Sequence, residues 1–576
     1  MRYPDLPQNQ YQPRSEDQYQ PHPVDRNQGN LPQEATAAAP ASEAGEPSHK
    51  RLSLTGQALL LLSLVTGAFA HGYNMFQYPL HVTDEGIYIE QAWSVLREGQ
   101  LSPYTYFYDH APAGWLVISG WVSILPFQFQ TFGNAISTGR VLMLLIHVVS
   151  IYLLFRITYR LSNSVLAAFI AAFFFNFSPL AVYYQRQVLL DNLMVFWLLL
   201  SIYLVTRDDG RVMTLMMSGI TFGIGVLTKE NTIFFAPAMA YLLYTQVRKY
   251  SNFRFSLGFW TYTALAVTSL YFLYAALKNE LLPTNFDFDL NNPPAGHVSL
   301  LYSIWWQFHR SQGSIMDQNS YYWTIVRIWL FRDTFILVAG LGSMLINCLI
   351  GLFDRQKNRG YLIAALFAAG YAFYIARGSV VLEFYIVPLI PFLAMNIGML
   401  VSFLLTPVRK SGEKLLSFTA QGVFAIALFG ILLSPTGGYF FVKDQFGKTV
   451  PHDLYKLPVA WMETEQVAFI RHNIPPTARI IIDDELWVDL HDVAPYYKYA
   501  HSHWKAAADP DVRDKLFHKD WQNIDYIVMS NKMMQAMQMN NGDGSENYIL
   551  EALQHSQRIW DLKRGGIELQ IYQVQK

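Results

Sequence analysis

The feature that most constrains this chain is a series of apolar segments, each about as long as a lipid bilayer is thick. Residues 141–155 and 188–205, for example, contain almost no charged side chain. An α-helix needs about 20 predominantly apolar residues to cross the hydrocarbon core of a membrane. Only 15% of all residues are charged, whereas a typical soluble domain has about 25%. The pattern therefore predicts a polytopic α-helical membrane protein.

Length and hydropathy predict about eleven membrane-crossing helices. They are expected at residues 54–73, 140–155, 162–180, 188–205, 212–227, 232–247, 256–277, 329–352, 361–376, 381–405 and 415–434. The apolar segment 113–127 is too short for a full crossing, and we assign it to a partly inserted or interfacial helix. Residues 53–435 then form the membrane domain, with long outer loops at about 73–130 and 278–327.

Basic residues cluster in loops between the predicted spans. The clusters are Arg156 and Arg160; Arg207 and Arg211; Arg248, Lys249 and Arg254; Arg355, Lys357 and Arg359; and Arg409, Lys410 and Lys414. With the spans above, all of these clusters fall on one side, which the positive-inside rule assigns to the cytoplasm. An odd number of crossings then predicts a cytoplasmic N-terminus and an extracytoplasmic C-terminal domain, in a multi-pass protein of the plasma membrane.

The two ends of the chain differ from the apolar middle. Residues 1–52 are rich in Pro, Gln and Asn with few large apolar residues, which predicts a disordered cytosolic segment. Residues 436–576 predict a soluble α/β domain, with a helix at 463–472, buried strands at 479–483 and 526–529, and an alternating edge strand at 567–574. A net charge of −1 without a basic stripe argues against nucleic acid as a partner.

Ionisable residues gather at the outer ends of several predicted spans, together with one tyrosine. In chain order they are Asp84, Glu85, His110, Arg186, Asp191, Lys229, Glu230, Arg377 and Tyr385. Charged groups at this depth are costly, so they usually face a cavity and have a function. An acid here can deprotonate a hydroxyl, and the cations can hold a phosphate leaving group.

Each of these residues also has an interpretation that involves no chemistry. The adjacent acids at 84–85 precede an amphipathic stretch, and negative charge stabilises a helix N-terminus. Lys229 and Glu230 can form a simple ion pair at the membrane boundary. Arg377 can reach lipid phosphates by snorkelling, and His110 can be a hydrogen-bonded loop residue. The number of such residues on one side favours a functional site.

The order of these motifs resembles the GT-C glycosyltransferases, in the branch that contains the protein O-mannosyltransferases and the aminoarabinose transferases of lipid A. The matching motifs are Asp84-Glu85, Asp109-His110-Ala111-Pro112, Arg186 with Asp191, and the turn at 227–230. The resemblance covers about residues 54–405. It implies an inverting transfer from a polyprenyl-phosphate sugar to a lipid, glycan or protein acceptor on the outer face of the membrane.

The resemblance also implies roles for individual residues. The first-loop Asp of the family falls on Asp84, the general base, and its second-loop Asp falls on Asp191. Many relatives have a Lys-Pro-Pro type sequence where this chain has His110-Ala-Pro112. The positive charge near the donor phosphate must then come from other residues as well, since histidine is only partly protonated near pH 7.

The remaining polar residues are expected to support this chemistry. Glu85 and Asp191 would orient the acceptor or the cations. The donor phosphate and substrate are expected near His110, Arg186, Lys229, Glu230, Arg377 and Tyr385. No cofactor is firmly implied; a divalent metal at Asp84 and Asp191 is the alternative, because hard cations take carboxylate oxygens.

A competing hypothesis is a polytopic lipid or solute transporter, or a flippase, with an extracytoplasmic binding domain. Such proteins often have two repeated halves and charged residues near the bilayer midplane. This chain shows no duplicated halves, and its charges cluster at one face. The enzyme hypothesis accounts for that cluster, whereas the transporter hypothesis does not.

Overall fold

The structure is a computed structural model. It describes residues 52–207, 211–248, 253–284, 298–309, 315–353, 358–377, 380–407, 458–531, 547–564 and 567–576, with isolated positions at 288 and within 419–451 and 533–537. The predicted disordered segment lies almost wholly outside the described residues, and so does about half of the predicted span at 415–434.

Helices dominate the first two thirds of the described chain. They are α1 (Leu54–Gly72), α2 (Thr83–Arg97), α3 (Ala113–Ser123), α4 (Ala135–Ser162), α5 (Val165–Phe177), α6 (Pro179–Tyr184), α7 (Leu190–Val205), α8 (Val212–Thr228), α9 (Ala236–Val247), α10 (Phe253–Leu277), α11 (Leu300–His309), α12 (Tyr321–Arg332), α13 (Thr334–Phe353), α14 (Arg359–Ala376) and α15 (Ile390–Leu404). The 3₁₀ turns Glu230–Phe235 and Glu383–Leu389 lead into α9 and α15.

Among the described residues, six helical segments are long and apolar enough to cross a membrane. They are Leu54–Gly72, Ala135–Ser162, Phe253–Leu277, Thr334–Phe353, Arg359–Ala376 and Glu383–Leu404. Four shorter apolar helices accompany them, including Ala113–Ser123, which has only 11 residues, as expected of the segment that we did not count as a full span. The polytopic helical fold class is confirmed, and the count of about eleven crossings stays a prediction.

The turn between α4 and α5 shows how the sequence encodes a tight helical hairpin. Asn163 ends α4 in the left-handed conformation, with φ of 53°, which asparagine tolerates better than most residues. The next residue, Ser164, caps α5 by accepting a hydrogen bond from the Ala167 amide. The two helices therefore reverse direction within two residues.

Helix ends beside three of the five predicted basic clusters lie together at one end of the helical bundle. Arg160, near the end of α4, donates to the Tyr203 carbonyl near the end of α7 at 2.9 Å. The start of α14 packs against the same place, because a side chain at Gly360 would meet the Leu161 backbone. Three of the predicted cytoplasmic ends thus lie together, as the charge pattern requires. Which side of a membrane they face stays a prediction.

The C-terminal region is an α/β unit. Its helices are α16 (Trp461–Asn473), α17 (Trp487–His491), α18 (His503–Ala508) and α19 (Asn547–Gln554). Its strands β3 (Ile480–Ile482), β4 (Ala500–Ser502), β5 (Tyr526–Ser530), β6 (Ser556–Arg564) and β7 (Ile567–Val574) follow a separate pair, β1 (Phe441–Lys443) and β2 (Thr449–Pro451). The main sheet has the order β4-β3-β5-β7-β6, with β3 parallel to both of its neighbours.

The predicted helix and the two buried strands of this region are confirmed, but the edge-strand prediction for 567–574 was wrong. β7 lies inside the sheet and pairs antiparallel with both β5 and β6. Alternating buried and exposed residues indicate only that one face of a strand is covered. This alternation occurs in inner antiparallel strands as well as in edge strands, so it does not identify an edge. The edges on either side are β4 and β6.

The C-terminal unit is attached directly to the first outer loop. Asp492 accepts hydrogen bonds from Trp93 and Arg97 of α2, both at 2.8 Å. Asp489 accepts from the Ala135 amide at the start of α4 at 3.0 Å. At Gly86 the backbones approach so closely that a Cβ atom would lie 2.6 Å from the Glu485 nitrogen. Helix α2 is therefore fixed between the bundle and the C-terminal sheet.

Candidate active site

The adjacent acids of the first outer loop have different surroundings, and Glu85 belongs to the protein interior. Its fully buried carboxylate pairs with the equally buried guanidinium of Arg140, at 2.9 Å from Nε and 2.8 Å from Nη2. It also accepts from the backbone amides of Val82 and Val188. Burial alone would raise the pKa of Glu85, but these partners hold it below its usual value. Glu85 thus ties α2 to α4 and does not line a cavity.

Asp84 instead faces a polar cavity of about 200 Å³. Its Oδ1 accepts a hydrogen bond from the Tyr88 hydroxyl, one helical turn further along α2, at 3.2 Å. Burial raises the pKa of Asp84, and the attraction of Lys229 and His110 only partly offsets this effect. A carboxylate with a raised pKa is a stronger base than an ordinary aspartate.

A buried ion pair lies next to Asp84. Lys229, at the end of α8, places its Nζ 2.6 Å from Oδ2 of Asp191 in the first turn of α7. The ammonium also lies over the Tyr385 ring, 4.6 Å from its centre. The other oxygen of Asp191 is buried and has no hydrogen-bond partner within the part of the chain that is described. This pair brings a cation to the site at the junction of three elements.

His110 and Glu230 form a second polar contact at the same place. His110 Nδ1 lies 3.1 Å from Oε2 of Glu230, and the Ala111 amide donates to the other carboxylate oxygen at 2.5 Å. The interpretation of Lys229 and Glu230 as a simple ion pair was therefore wrong, since each contacts a different partner. Tyr271 of α10 donates to the His110 carbonyl at 3.1 Å and so fixes this loop against the bundle.

The two predicted arginines lie in different places. Arg186 is 2% exposed, and its guanidinium donates to the carbonyls of Ala70 at 2.8 Å and Tyr78 at 3.2 Å. Arg186 does not line the cavity that contains Asp84; it connects the end of α1 to the loop that follows. Arg377, at the end of α14, is exposed, with its guanidinium 4.4 Å from the centre of the Tyr374 ring.

A second, apolar cavity of about 370 Å³ adjoins the polar one. The two cavities share the wall residues Asp109, His110, Gln307 and Tyr385. The apolar cavity also contains Lys229, Glu230 and Arg377 in its lining, among many large apolar side chains. Acids and cations from the first loop, α8 and α14 therefore meet where a polar space and an apolar space come together.

Comparison with known proteins gives this arrangement a context. A family model described as dolichyl-phosphate-mannose-protein mannosyltransferase matches residues 109–279. The structure is similar to ArnT from Cupriavidus metallidurans bound to undecaprenyl phosphate, with a TM-score of 0.53 and 15% identity over 90% of this chain and 98% of that chain. The fold is that of the GT-C glycosyltransferases.

Other solved structures share the GT-C fold. The oligosaccharyltransferase of Archaeoglobus fulgidus in the apo form has a TM-score of 0.54 and 12% identity, over 86% of this chain and 72% of that chain. The archaeal oligosaccharyltransferase AglB from the same organism, in complex with an inhibitory peptide and a dolichol-phosphate, has a TM-score of 0.52 and 12% identity, over 90% and 74% of the two chains. No curated protein matches the sequence significantly.

The matched family segment begins at Asp109 and includes His110, Asp191, Lys229 and Glu230. Asp84 lies outside it. The resemblance at Asp84 therefore rests on the order of motifs along a GT-C fold, and its chemical role is a proposal.

The residues at this site are not arranged as a metal centre. Among the described residues, no group of three or more His, Cys, Asp or Glu side chains is placed to hold a metal ion. Of the two carboxylates suggested as ligands, Asp191 is already paired with Lys229 at 2.6 Å. Lys229 already supplies positive charge beside Asp191, and we assign no step to a metal.

Three residues of this site were missed at the level of the sequence. Arg140 appeared only as the start of a span, although one arginine in an apolar helix is itself a signal for a buried partner. Trp504 and Lys505 line the polar cavity from the C-terminal unit. No motif marks them, and only the docking of the sheet on α2 brings them there.

Proposed function

We propose that the protein transfers a sugar from a polyprenyl-phosphate carrier to an acceptor hydroxyl, with inversion at the anomeric carbon. The observation that carries this proposal is the shared wall of the two cavities. Asp84 and His110 line the polar space, while Lys229 and Arg377 line the apolar space beside it. A lipid-linked substrate needs both environments within a few ångströms of one base.

The apolar cavity suits the carrier lipid. Ile233, Phe272 and Phe308 line it and are 52%, 39% and 66% exposed, so their apolar surface is open to a prenyl chain. Lys229 and Arg377 would then hold the phosphate where the apolar lining ends. The ArnT structure holds undecaprenyl phosphate and the AglB structure holds dolichol-phosphate, which makes a polyprenyl phosphate the natural candidate here.

Asp84 is the proposed general base. It takes the proton of the acceptor hydroxyl while the hydroxyl oxygen attacks the anomeric carbon from the face opposite the phosphate. The bond from the anomeric carbon to the phosphate oxygen breaks, and the lipid phosphate leaves with the electron pair. Cations around the departing oxygen stabilise its charge. Inversion follows because attack and departure occur on opposite faces.

The other predicted site residues act through these groups. Asp191 holds Lys229 in place, and Glu230 holds His110 and the backbone of its loop. Glu85 fixes α2 through Arg140, and we assign it a positioning role. Tyr385 lies beneath the Lys229 ammonium. Arg186 stabilises the loop before α2 from outside the cavities.

We further propose that this site and the C-terminal unit face away from the cytoplasm, because helix ends beside three of the predicted basic clusters lie together at the other end of the bundle. Reporter fusions after Lys414 and at Lys576 should then report opposite compartments. Two cytoplasmic signals would show that the number of crossings is wrong.

The decisive experiment is an assay of the full-length protein in detergent with a radiolabelled polyprenyl-phosphate sugar and a cell-envelope extract. We expect label to move from the lipid to a new product without any membrane gradient. Heat-treated protein is the control for chemical breakdown of the donor. A transporter or flippase would bind the lipid but yield no product, and that outcome would replace the enzyme hypothesis.

A further inference from the structure

Lys505 is a buried ammonium without a hydrogen-bond acceptor, and it lines the same cavity as Asp84. The residue is 4% exposed and follows strand β4, where α18 begins. Within the described part of the chain, its Nζ has no hydrogen bond and no ion pair. Burying a charge without such partners is costly, so its position calls for an explanation.

Aromatic rings surround this ammonium instead. Its Nζ lies 4.1 Å from the ring centre of Trp504, 4.9 Å from that of Tyr104 and 5.0 Å from that of Phe107. Ring faces attract a cation but do not accept its hydrogen bonds as an oxygen does. Lys505 and Asp84 line the same polar cavity, so an anionic group in that space can reach the ammonium.

The acidic groups that attract Lys505 are Glu90, Asp509, Asp109 and Asp484. Both oxygens of Asp484 accept from the Trp504 indole N–H, at 2.9 and 3.0 Å. Asp509 accepts from the Thr105 amide at 3.0 Å and from amides of its own turn. Glu90 is buried with one carboxylate oxygen unpartnered; burial raises its pKa well above the usual range and lowers the pKa of Lys505, while the attraction between the two opposes both shifts. Among the described residues, no carboxylate forms an ion pair with the Lys505 ammonium.

We propose that Lys505 binds a carboxylate or phosphate group on the acceptor, so that the enzyme selects acidic acceptors and places their hydroxyl next to Asp84. This inference rests on the proposed glycosyltransferase function. The ligand belongs to the acceptor because Lys505 lines only the polar cavity, whereas Lys229 and Arg377 line the apolar one. An anionic oxygen would supply the hydrogen bonds that the aromatic rings do not.

The position of Lys505 in the sheet supports a binding role. It follows the carboxyl end of β4, which runs parallel to β3, and ligands of parallel sheets bind beyond the carboxyl ends of the strands. The C-terminal unit thus supplies acceptor recognition to a site whose base comes from α2. A purely structural Lys505 would leave acceptor affinity unchanged and alter only stability.

The test uses full-length protein in detergent, a radiolabelled polyprenyl-phosphate sugar, and an envelope extract separated by anion exchange into neutral and acidic acceptors. We expect wild-type protein to label the acidic fraction. Lys505→Met should raise the KM for the acidic fraction at least about tenfold, because the variant loses one charge-assisted hydrogen bond to the acceptor. The kcat and the KM for the donor should change little. Lys505→Arg should retain most of the affinity.

Lys498→Met is the matched control. Lys498 lies in the same unit and also contacts an aromatic ring, 5.9 Å from the centre of Tyr499, but it is exposed and outside the cavity. Its substitution should change neither KM. Lys505→Gln provides a second variant if methionine at this position prevents folding. Melting curves in detergent show whether each variant is folded.

Inorganic phosphate provides a second, independent measurement. At saturating donor, phosphate should raise the apparent KM of wild-type protein for the acidic acceptor, and this effect should weaken in Lys505→Met. Equal labelling of neutral acceptors, or an unchanged acceptor KM in a folded Lys505→Met protein, would overturn the proposal. If wild-type protein transfers no sugar at all, the glycosyltransferase function itself fails and this proposal with it.

Discussion

Replacing Asp84 by Asn separates the catalytic role of this residue from its role in the helix. Asparagine has nearly the same size and keeps an oxygen that accepts the 3.2 Å hydrogen bond from Tyr88. It removes the basic carboxylate, which is the group that the proposed mechanism requires. The substitution therefore changes the chemistry of the cavity and leaves its shape intact.

The structure predicts unequal effects on turnover and stability. Loss of a general base lowers turnover by about 10²–10⁴-fold, which corresponds to a barrier increase of about 3–5 kcal/mol. Stability should change little, because removing a negative charge from a helix N-terminus costs about 0.3–1 kcal/mol. Even that cost is partly offset, since burial raises the pKa of Asp84 and so already penalises its charged form.

The assay compares initial rates of transfer by wild-type and Asp84→Asn protein at saturating donor, together with thermal melting in detergent. Donor binding should survive in the variant, since Lys229 and Arg377 are the residues proposed to hold the phosphate. Near-normal turnover with a small loss of stability would show that Asp84 only stabilises the start of α2. The proposed mechanism would then lose its base.

Other substitutions test the surroundings of the site. Glu85→Gln should destabilise the protein by about 3–5 kcal/mol, because it leaves the buried Arg140 charge uncompensated; a small shift in melting would show that the pair is dispensable. Gly86→Ala should cost about 1–3 kcal/mol, because the new methyl group meets the backbone of the C-terminal unit. Gly120→Ala, whose methyl group meets open space inside helix α3, should not destabilise the protein and should raise its stability by up to about 1 kcal/mol, the difference in helix propensity. Burial raises the pKa of Asp484 from 3.8 to about 6, so wild-type stability should fall as pH rises through about 6, and the melting temperature of Asp484→Asn should depend less on pH over that range.

The helical part of the fold was largely predictable because span length is a physical constraint on the sequence. Helix α1 covers Leu54–Gly72 against a predicted 54–73, and α8 covers Val212–Thr228 against 212–227. The predicted span at 329–352 instead divides at Asp333 into α12 and α13. The mean hydropathy of a window of about 20 residues does not detect such a break, because one polar residue among apolar ones barely changes the mean.

The outer-face cluster was only partly predictable. Charged residues near span ends pointed to Asp84, His110, Lys229 and Arg377, and all of these line the two cavities. The position of Arg186 at the end of a predicted span did not show that its side chain lies away from the two cavities. It donates to the carbonyls of Ala70 and Tyr78, and contacts with backbone carbonyls cannot be read from the sequence. Pairings of this kind depend on tertiary contacts alone.

Helix α2 explains why two adjacent acids have such different surroundings. Successive residues of an α-helix point about 100° apart, so Glu85 faces Arg140 on α4 while Asp84 faces the polar cavity. The next residue, Gly86, lies against the C-terminal unit. The proposed base is thus held on an element that both the bundle and the sheet fix in place, and Lys505 reaches the cavity from that same sheet. A displacement of the C-terminal unit that carried α2 and Lys505 together would preserve the distance between the base and the acceptor, whereas a break at the Gly86 contact would change it.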